Sequence, residues 1–298
     1  MATVLITGTS TGFGHETAVR LASRGHHVVG TMRDPRGRNA SARAALEAIA
    51  ARDGSRLDVL ELDVTDDASV ERAVSEARDR VGALDVVVNN AGVGCLGLTE
   101  AFTPEQFASV FDVNVNGAVR VNRAVLPHMR ARGEGLLVHI SSAAGRAVVP
   151  GLGPYCASKF ALEALADAYR YELAPWGVQS VLVEPGIYRT PIFERALAPA
   201  DTGRCDAFGP HGGYVSTVRE VFASTMGDPS NPGSAEVADA IVALVEMRPK
   251  ARPFRTIVSA PLAQLLGPYN EMAEALRPVI AGIFQVEHLV YSREERAR

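Results

Sequence analysis

Lysine is almost missing from this chain: its 298 residues hold only Lys159 and Lys250, against 28 arginines. A sequence that supplies its positive charge as arginine marks its rare lysines as places where a compact ammonium of tunable pKa is wanted, not a planar fork that resists deprotonation. Cysteine is scarce too. Cys95, Cys156 and Cys205 have neither an even count nor metal-ligand spacing, which argues against a disulfide framework or a structural zinc site and leaves reduced thiols as the expectation. The seven histidines form no ligand-like group, so no metal is expected. There is no excess of positive charge: a net charge of −4 and a pI near 6.0 argue against a nucleic-acid surface. No apolar run approaches the roughly 18 residues that a membrane span requires, and the stretch 279–284 falls well short. An apolar strand-like run from residue 3 leaves no room for a signal or transit peptide, so a cytoplasmic protein is expected. No internal repeat or low-complexity tract appears.

What is present is alternation. Short β-branched runs at 3–7, 27–32, 57–62, 84–88, 136–140, 178–183 and 254–258 are separated by helical segments. That pattern calls for an α/β fold, a Rossmann-like doubly wound parallel sheet of seven strands with helices on both faces. At 47% hydrophobic the chain can bury one large core, and a single domain is expected. It divides into a core over 1–190, a lid over 191–233, and C-terminal helices with the last strand over 234–298. Long helices are expected over 104–132 and 155–173, the second ended by Pro175. The lid is rich in Pro, Gly and polar residues and is given one short helix, around 216–225. The tail over 271–291 is left as a helix above the site, a contact between copies or a membrane-surface element.

Several residues carry chemistry. Tyr155 and Lys159 are four apart at the start of a helix, which puts phenol and ammonium on one face. A nearby cation is expected to lower a phenol's pKa and let it work as acid and base; a packed tyrosine beside a snorkelling lysine is the plainer alternative. The first strand breaks into Gly8, Ser10, Thr11, Gly12, Phe13 and Gly14 before a helix, where glycines let a backbone approach a pyrophosphate resting on helix N-terminal amides. The second strand ends at Arg33, where an acid would favour NAD and an arginine holds the extra phosphate of NADP. Arg33 therefore points to NADP(H), while Asp34 keeps NAD(H) open. Asp63 with Val64, and Asn90-Ala91-Gly92, follow the third and fourth strands at their carboxyl ends. Ser142 follows the fifth, thirteen residues before Tyr155.

This ordered set, Thr7-Gly8-x-x-x-Gly12-x-Gly14, Asp63, Asn89-Asn90-Ala91-Gly92, Asn114, Ser142, Tyr155-x-x-x-Lys159 and Pro185-Gly186 with Thr190, resembles the short-chain dehydrogenase/reductase family from residue 2 to about 190. The stretches 155–163 and 31–34 look most like its hydroxysteroid and retinol dehydrogenase branch. The resemblance implies hydride transfer between a nicotinamide and a carbinol or carbonyl carbon. By it, Tyr155 is the general acid and base and Ser142 holds the substrate oxygen. Lys159 tunes Tyr155 and holds the nicotinamide ribose, with Asn90 near that ribose, and Asn114 supports a water that relays protons through Lys159. Pro185, Gly186 and Thr190 close over the nicotinamide. A homodimer or homotetramer through the long helices is also implied. Val149, Leu152, Tyr188, Phe193, Tyr214 and Phe222 are read as an apolar wall for a small hydrophobic ketone or alcohol, or as anchors of the lid. An NAD-preferring dehydrogenase, an acyl-thioester ketoreductase and a non-catalytic dinucleotide sensor stay open as alternatives.

Overall fold

Strand residues of this chain are apolar on both sides of the pleat, and the structure shows why. In β1 (Thr3–Thr7), Val4 and Ile6 enter one core and Leu5 the other. A strand covered on both faces reads as a continuous apolar run, and successive side chains point to opposite faces. The computed structural model describes residues 1–231 and 233–290. Pro232 of the expected lid and Tyr291 at the end of the expected tail lie outside the described residues.

After β1 come α1 (Gly12–Ser23), β2 (His27–Met32), α2 (Ala40–Asp53), β3 (Leu57–Glu61), α3 (Asp67–Val81) and β4 (Val86–Asn89). They are followed by α4 (Pro104–Phe111), α5 (Gly117–Arg132), β5 (Gly135–Ile140), α6 (Gly153–Leu173) and β6 (Val178–Pro185). The last elements are α7 (Thr202–Ala207), α8 (Tyr214–Gly227), α9 (Ser234–Glu246), β7 (Arg255–Val258) and α10 (Ala260–Ile283). The seven strands pair in parallel in the order β3-β2-β1-β4-β5-β6-β7. Leu21 of α1, Leu46 of α2 and Ile241 of α9 pack on one face of this sheet; Val74 of α3 with Val121 and Met129 of α5 pack on the other. The strand order reverses between β1 and β4, and such a switch opens a crevice at the carboxyl ends of the strands.

Two local features differ from expectation. The helix expected over 104–132 is split by a π turn at Asp112–Asn116 between α4 and α5. A π turn wedges an extra residue into the helix and is often found at functional sites; here it carries Asn114, 2% exposed. The lid holds more order than its composition announces. Asp201 accepts from the Arg204 amide at 3.0 Å and caps α7, and α8 is longer than the expected segment. The lid is also tied to the loop after β4: Leu96 N donates to Leu197 O at 3.1 Å and Leu197 N to Gly94 O at 2.9 Å.

In the tail, α10 starts at Ala260, earlier than expected, and sits on the body through buried Leu266, Asn270, Arg277 and Ala281. Its outer side shows Leu265, Tyr269, Met272, Leu276, Val279 and Ile283, each at least 46% exposed. Among the described residues no helix is long and apolar enough to cross a membrane.

Candidate active site

The crevice at the switch point is a cleft of about 450 Å³. Its floor is stitched together by the ends of β1 and β4. The Thr7 hydroxyl accepts from the amides of Asn90 and Ala91 at 3.0 and 2.9 Å. The Asn90 side chain donates through Nδ2 to the carbonyls of Thr7 and Gly8 at 2.8 and 3.0 Å. Asn90 was expected near a ribose; it lines the cleft, but its Nδ2 is spent on holding the glycine loop. Gly8 and Gly12 have φ of +73° and +61°, and a Cβ on Gly14 would overlap the Asn90 side chain and the Gly8 carbonyl. The loop therefore needs its glycines. Thr11, the N-cap of α1, makes no side-chain bond to the helix, so the first amides of α1 are not capped by that side chain. Bare helix N-terminal amides beside a close-packed glycine turn suit a pyrophosphate. These residues fit a dinucleotide.

At one end of the cleft lie Arg33, Arg38, Asn39 and Asp63. Asp34 has a left-handed φ of 45°. Its carboxylate is turned back onto its own loop, accepting from the amides of Gly37 and Arg38, each at 2.9 Å. The acid that kept NAD open thus folds away from the cleft, and it brings in Arg38, which sequence reading missed. Asp63 accepts from the amide and hydroxyl of Thr65 at 3.0 and 2.8 Å. Burial works against its charge, yet these bonds together with Arg33 and Arg38 hold its carboxyl below the usual range.

Toward the other end, that of β5 and β6, are Ser142, Tyr155 and Lys159; Pro185, Gly186 and Thr190 also line the cleft, Thr190 lying beside Gly12. Ser142 is an extended residue that starts a 3₁₀ turn, its Oγ accepting from the Ala144 amide at 3.1 Å, and its hydroxyl favours the charged form of the Tyr155 phenol. Lys159 Nζ lies 5.7 Å from the Tyr155 ring centre and donates to the Ile140 carbonyl at 2.8 Å. The expected lowering of the tyrosine does not occur in this state. Burial pushes the Tyr155 phenol up to about 12, with the Ser142 hydroxyl pulling back, and burial brings the Lys159 ammonium down to about 8, with Glu163 pulling back. The reason is desolvation: a dry pocket disfavours both charged forms, and the ammonium is engaged by a β5 carbonyl.

Asn114 has its side chain fully engaged. Its Oδ1 accepts from the Val93 amide at 2.8 Å, and its Nδ2 donates to the Val93 carbonyl and to the Ser158 hydroxyl, both at 3.0 Å. The side chain clamps the loop after β4 to α6. Of the expected apolar wall, Phe193 and Tyr188 line the cleft. Phe193 meets Tyr155 edge-on at 5.7 Å and packs on Phe222 at 4.4 Å. Val149, Leu152 and Phe222 form the cluster behind it, and Tyr214 lies outside the cleft with 41% exposure. Tyr188 belongs to the opposite side, with its ring edge-on to Phe13 at 6.0 Å and its hydroxyl donating to Glu236 at 2.7 Å. Its short apolar neighbourhood in sequence hid that partner, which is 48 residues away. Sequence reading also missed Ile192 and Arg195, which line the cleft from the lid.

A family model described as short chain dehydrogenase matches residues 2–200. The chain belongs to this family. Human 17-beta-hydroxysteroid dehydrogenase type 1 is 39% identical over 272 residues, 88% of this chain and 80% of that protein. Human retinol dehydrogenase 8 is 36% identical over 273 residues, 88% of this chain and 84% of its own. These two relatives match the branch read from the sequence. A short chain dehydrogenase/reductase of Burkholderia phymatum, solved in complex with NAD, superimposes with a TM-score of 0.74 at 25% identity, covering 92% of this chain and 94% of its own. This short chain dehydrogenase is thus an oxidoreductase of CH–OH groups.

Proposed function

We propose that the protein interconverts a hydrophobic secondary alcohol and its ketone with NADP(H). The observation that carries this reading is one cleft holding Ser142, Tyr155 and Lys159 at one end and Arg33 with Arg38 at the other. A bound nicotinamide dinucleotide supplies or accepts the hydride; the residues of the chain do the rest. A carbonyl oxygen between Ser142 and Tyr155 receives a hydrogen bond from each, which stabilises charge as it develops there. In reduction the Tyr155 phenol donates its proton to that oxygen, and in oxidation it takes the proton back. A phenol raised to about 12 is fully protonated at neutral pH, the form that reduction needs. Lys159 fixes α6 to the end of β5 through Ile140. Phe193 and Ile192 give the substrate side an apolar surface, which favours a hydrophobic carbon skeleton over a sugar.

The test is consumption of NADPH and of NADH, measured separately against a panel of hydrophobic ketones. Turnover with NADPH preferred by at least about tenfold in kcat/KM is the expected result. Tight NADPH binding with no turnover on any ketone would instead support a sensor.

The protein is also read as a homodimer or homotetramer. The exposed side of α10, with Leu265, Tyr269, Met272, Leu276, Val279 and Ile283 spaced alternately four and three residues apart, has the pattern of a helix seam that pairs with another helix. Sedimentation is expected to show an assembly of at least two copies that weakens when Met272 and Leu276 are both changed to Glu. A monomer at all concentrations would count against it.

A further inference from the structure

Behind Ser142 lies a buried cluster of charge that the reaction as described does not use. Glu163 and Glu184 are 2% and 0% exposed. Arg255 of β7 donates to both, reaching Glu184 Oε1 at 2.8 Å. Ser141, the residue before Ser142, donates its hydroxyl to Glu163 Oε1 at 2.7 Å. Arg146, at the far end of the same turn, lies 3.7 Å from Glu163 Oε2. A Cβ on Gly145 would run into the Ser141 hydroxyl and Glu163, so the turn that presents Ser142 lies directly on this carboxylate. The cluster continues to α10: Arg146 Nε donates to Asn270 Oδ1 at 2.8 Å, Asn270 Nδ2 donates to Glu184 Oε2 at 2.7 Å, and Arg146 stacks over Tyr269 at 4.1 Å.

Glu163 sits one helical turn after Lys159, so one residue on α6 addresses both sides of the candidate centre. The groups facing it are Ser141 at the end of β5, Arg146 in the turn, Glu184 of β6, Arg255 of β7 and Lys159 on its own helix. Two carboxylates thus stand among three cations. A buried carboxylate that had only to pair with Arg255 would have no need to touch the serine loop or to sit one helical turn from the lysine.

We propose that Glu163 is a positioning residue that fixes the Ser142 turn through Ser141 and holds the charge of Lys159, and that Arg255, Arg146 and Asn270 couple this to α10. The proposal rests on the reading of Ser142, Tyr155 and Lys159 given above. The scarcity of lysine makes a direct test available, because protein labelled with ¹³C at lysine Cε gives two side-chain resonances, and the one missing in Lys250→Arg identifies the other. In Glu163→Gln, which keeps an acceptor for Ser141 and loses the charge, the Lys159 titration midpoint is expected to move down by about one pH unit. In the same variant kcat is expected to fall about tenfold with KM within about twofold. A Lys159 midpoint that stays where it is would overturn the electrostatic part, and an unchanged kcat with a lower Tm would reduce Glu163 to a structural group. Ser141→Ala removes only the hydroxyl: kcat is expected to fall about fivefold with the Lys159 midpoint unmoved, and an unchanged kcat would overturn the positioning part. The lysine titration needs no turnover, so absence of activity in the parent protein would sink the proposed reaction and leave this measurement readable.

Discussion

Tyr155→Phe is expected to lower kcat for ketone reduction by about 10³-fold while leaving NADPH affinity within about twofold, since a positioned acid contributes about 10²–10⁴. The substitution removes one oxygen and keeps the ring, so the edge contact with Phe193 at 5.7 Å and the buried face of α6 survive. Ser142 remains to hold the carbonyl, but its Oγ is tied to the Ala144 amide and has no phenol behind it. The parent enzyme should show a marked asymmetry with pH. Reduction uses the protonated phenol, and with Tyr155 pushed up to about 12 that form persists through the alkaline range. Oxidation uses the deprotonated phenol and should climb with pH over the same range. Single-turnover rates in both directions, with fluorescence titration of NADPH, decide the matter. A loss in kcat smaller than about tenfold would remove Tyr155 from proton transfer.

The second large effect concerns cofactor choice. Arg33→Ala combined with Arg38→Ala is expected to weaken NADPH binding by about 100-fold or more and to change NADH binding by about twofold. A hydrogen bond to a charged group contributes about 1.5–3 kcal/mol, and two such bonds at the lower figure already give that ratio. The two side chains share this end of the cleft because Asp34 takes a left-handed φ of 45° and binds the Gly37 and Arg38 amides. Calorimetric titration with each dinucleotide separates the outcomes. Equal losses for NADPH and NADH would show that the arginines serve the loop and not the phosphate, and a parent protein that prefers NADH would overturn the reading outright.

The sheet and the Ser142, Tyr155 and Lys159 positions were legible because they rest on local signals: apolar runs of fixed length, glycines at a turn, and a four-residue spacing on a helix. Arg38 was not, since nothing adjacent to it in sequence says that Asp34 will turn back and carry it to the cleft. The π turn at Asp112–Asn116 has no compositional mark; an amphipathic helix of the same residues reads alike without it. The direction of the Tyr155 shift was misread because spacing reports a neighbouring cation but not how completely water is excluded, and burial proved the larger influence. The Glu163 cluster escaped for a third reason: its partners come from residues 141, 146, 184, 255 and 270, which only the packing of β6, β7 and α10 assembles.

The strand order also bears on how the chain is made. Of the seven strands synthesis delivers β1, an interior strand of the sheet, first, and later strands are added outward, β2 and β3 on one side and β4 through β7 on the other. Glu163 and Glu184 are therefore in place before the ribosome has produced Arg255, which arrives with the outermost strand. A nascent chain that packs β5, α6 and β6 must either keep this corner wet or bury two carboxylates without their main counter-charge, a loss of several kcal/mol. Arg255 then acts as a late counter-charge: the corner beneath the serine turn can dry out without that loss only once β7 has joined the sheet.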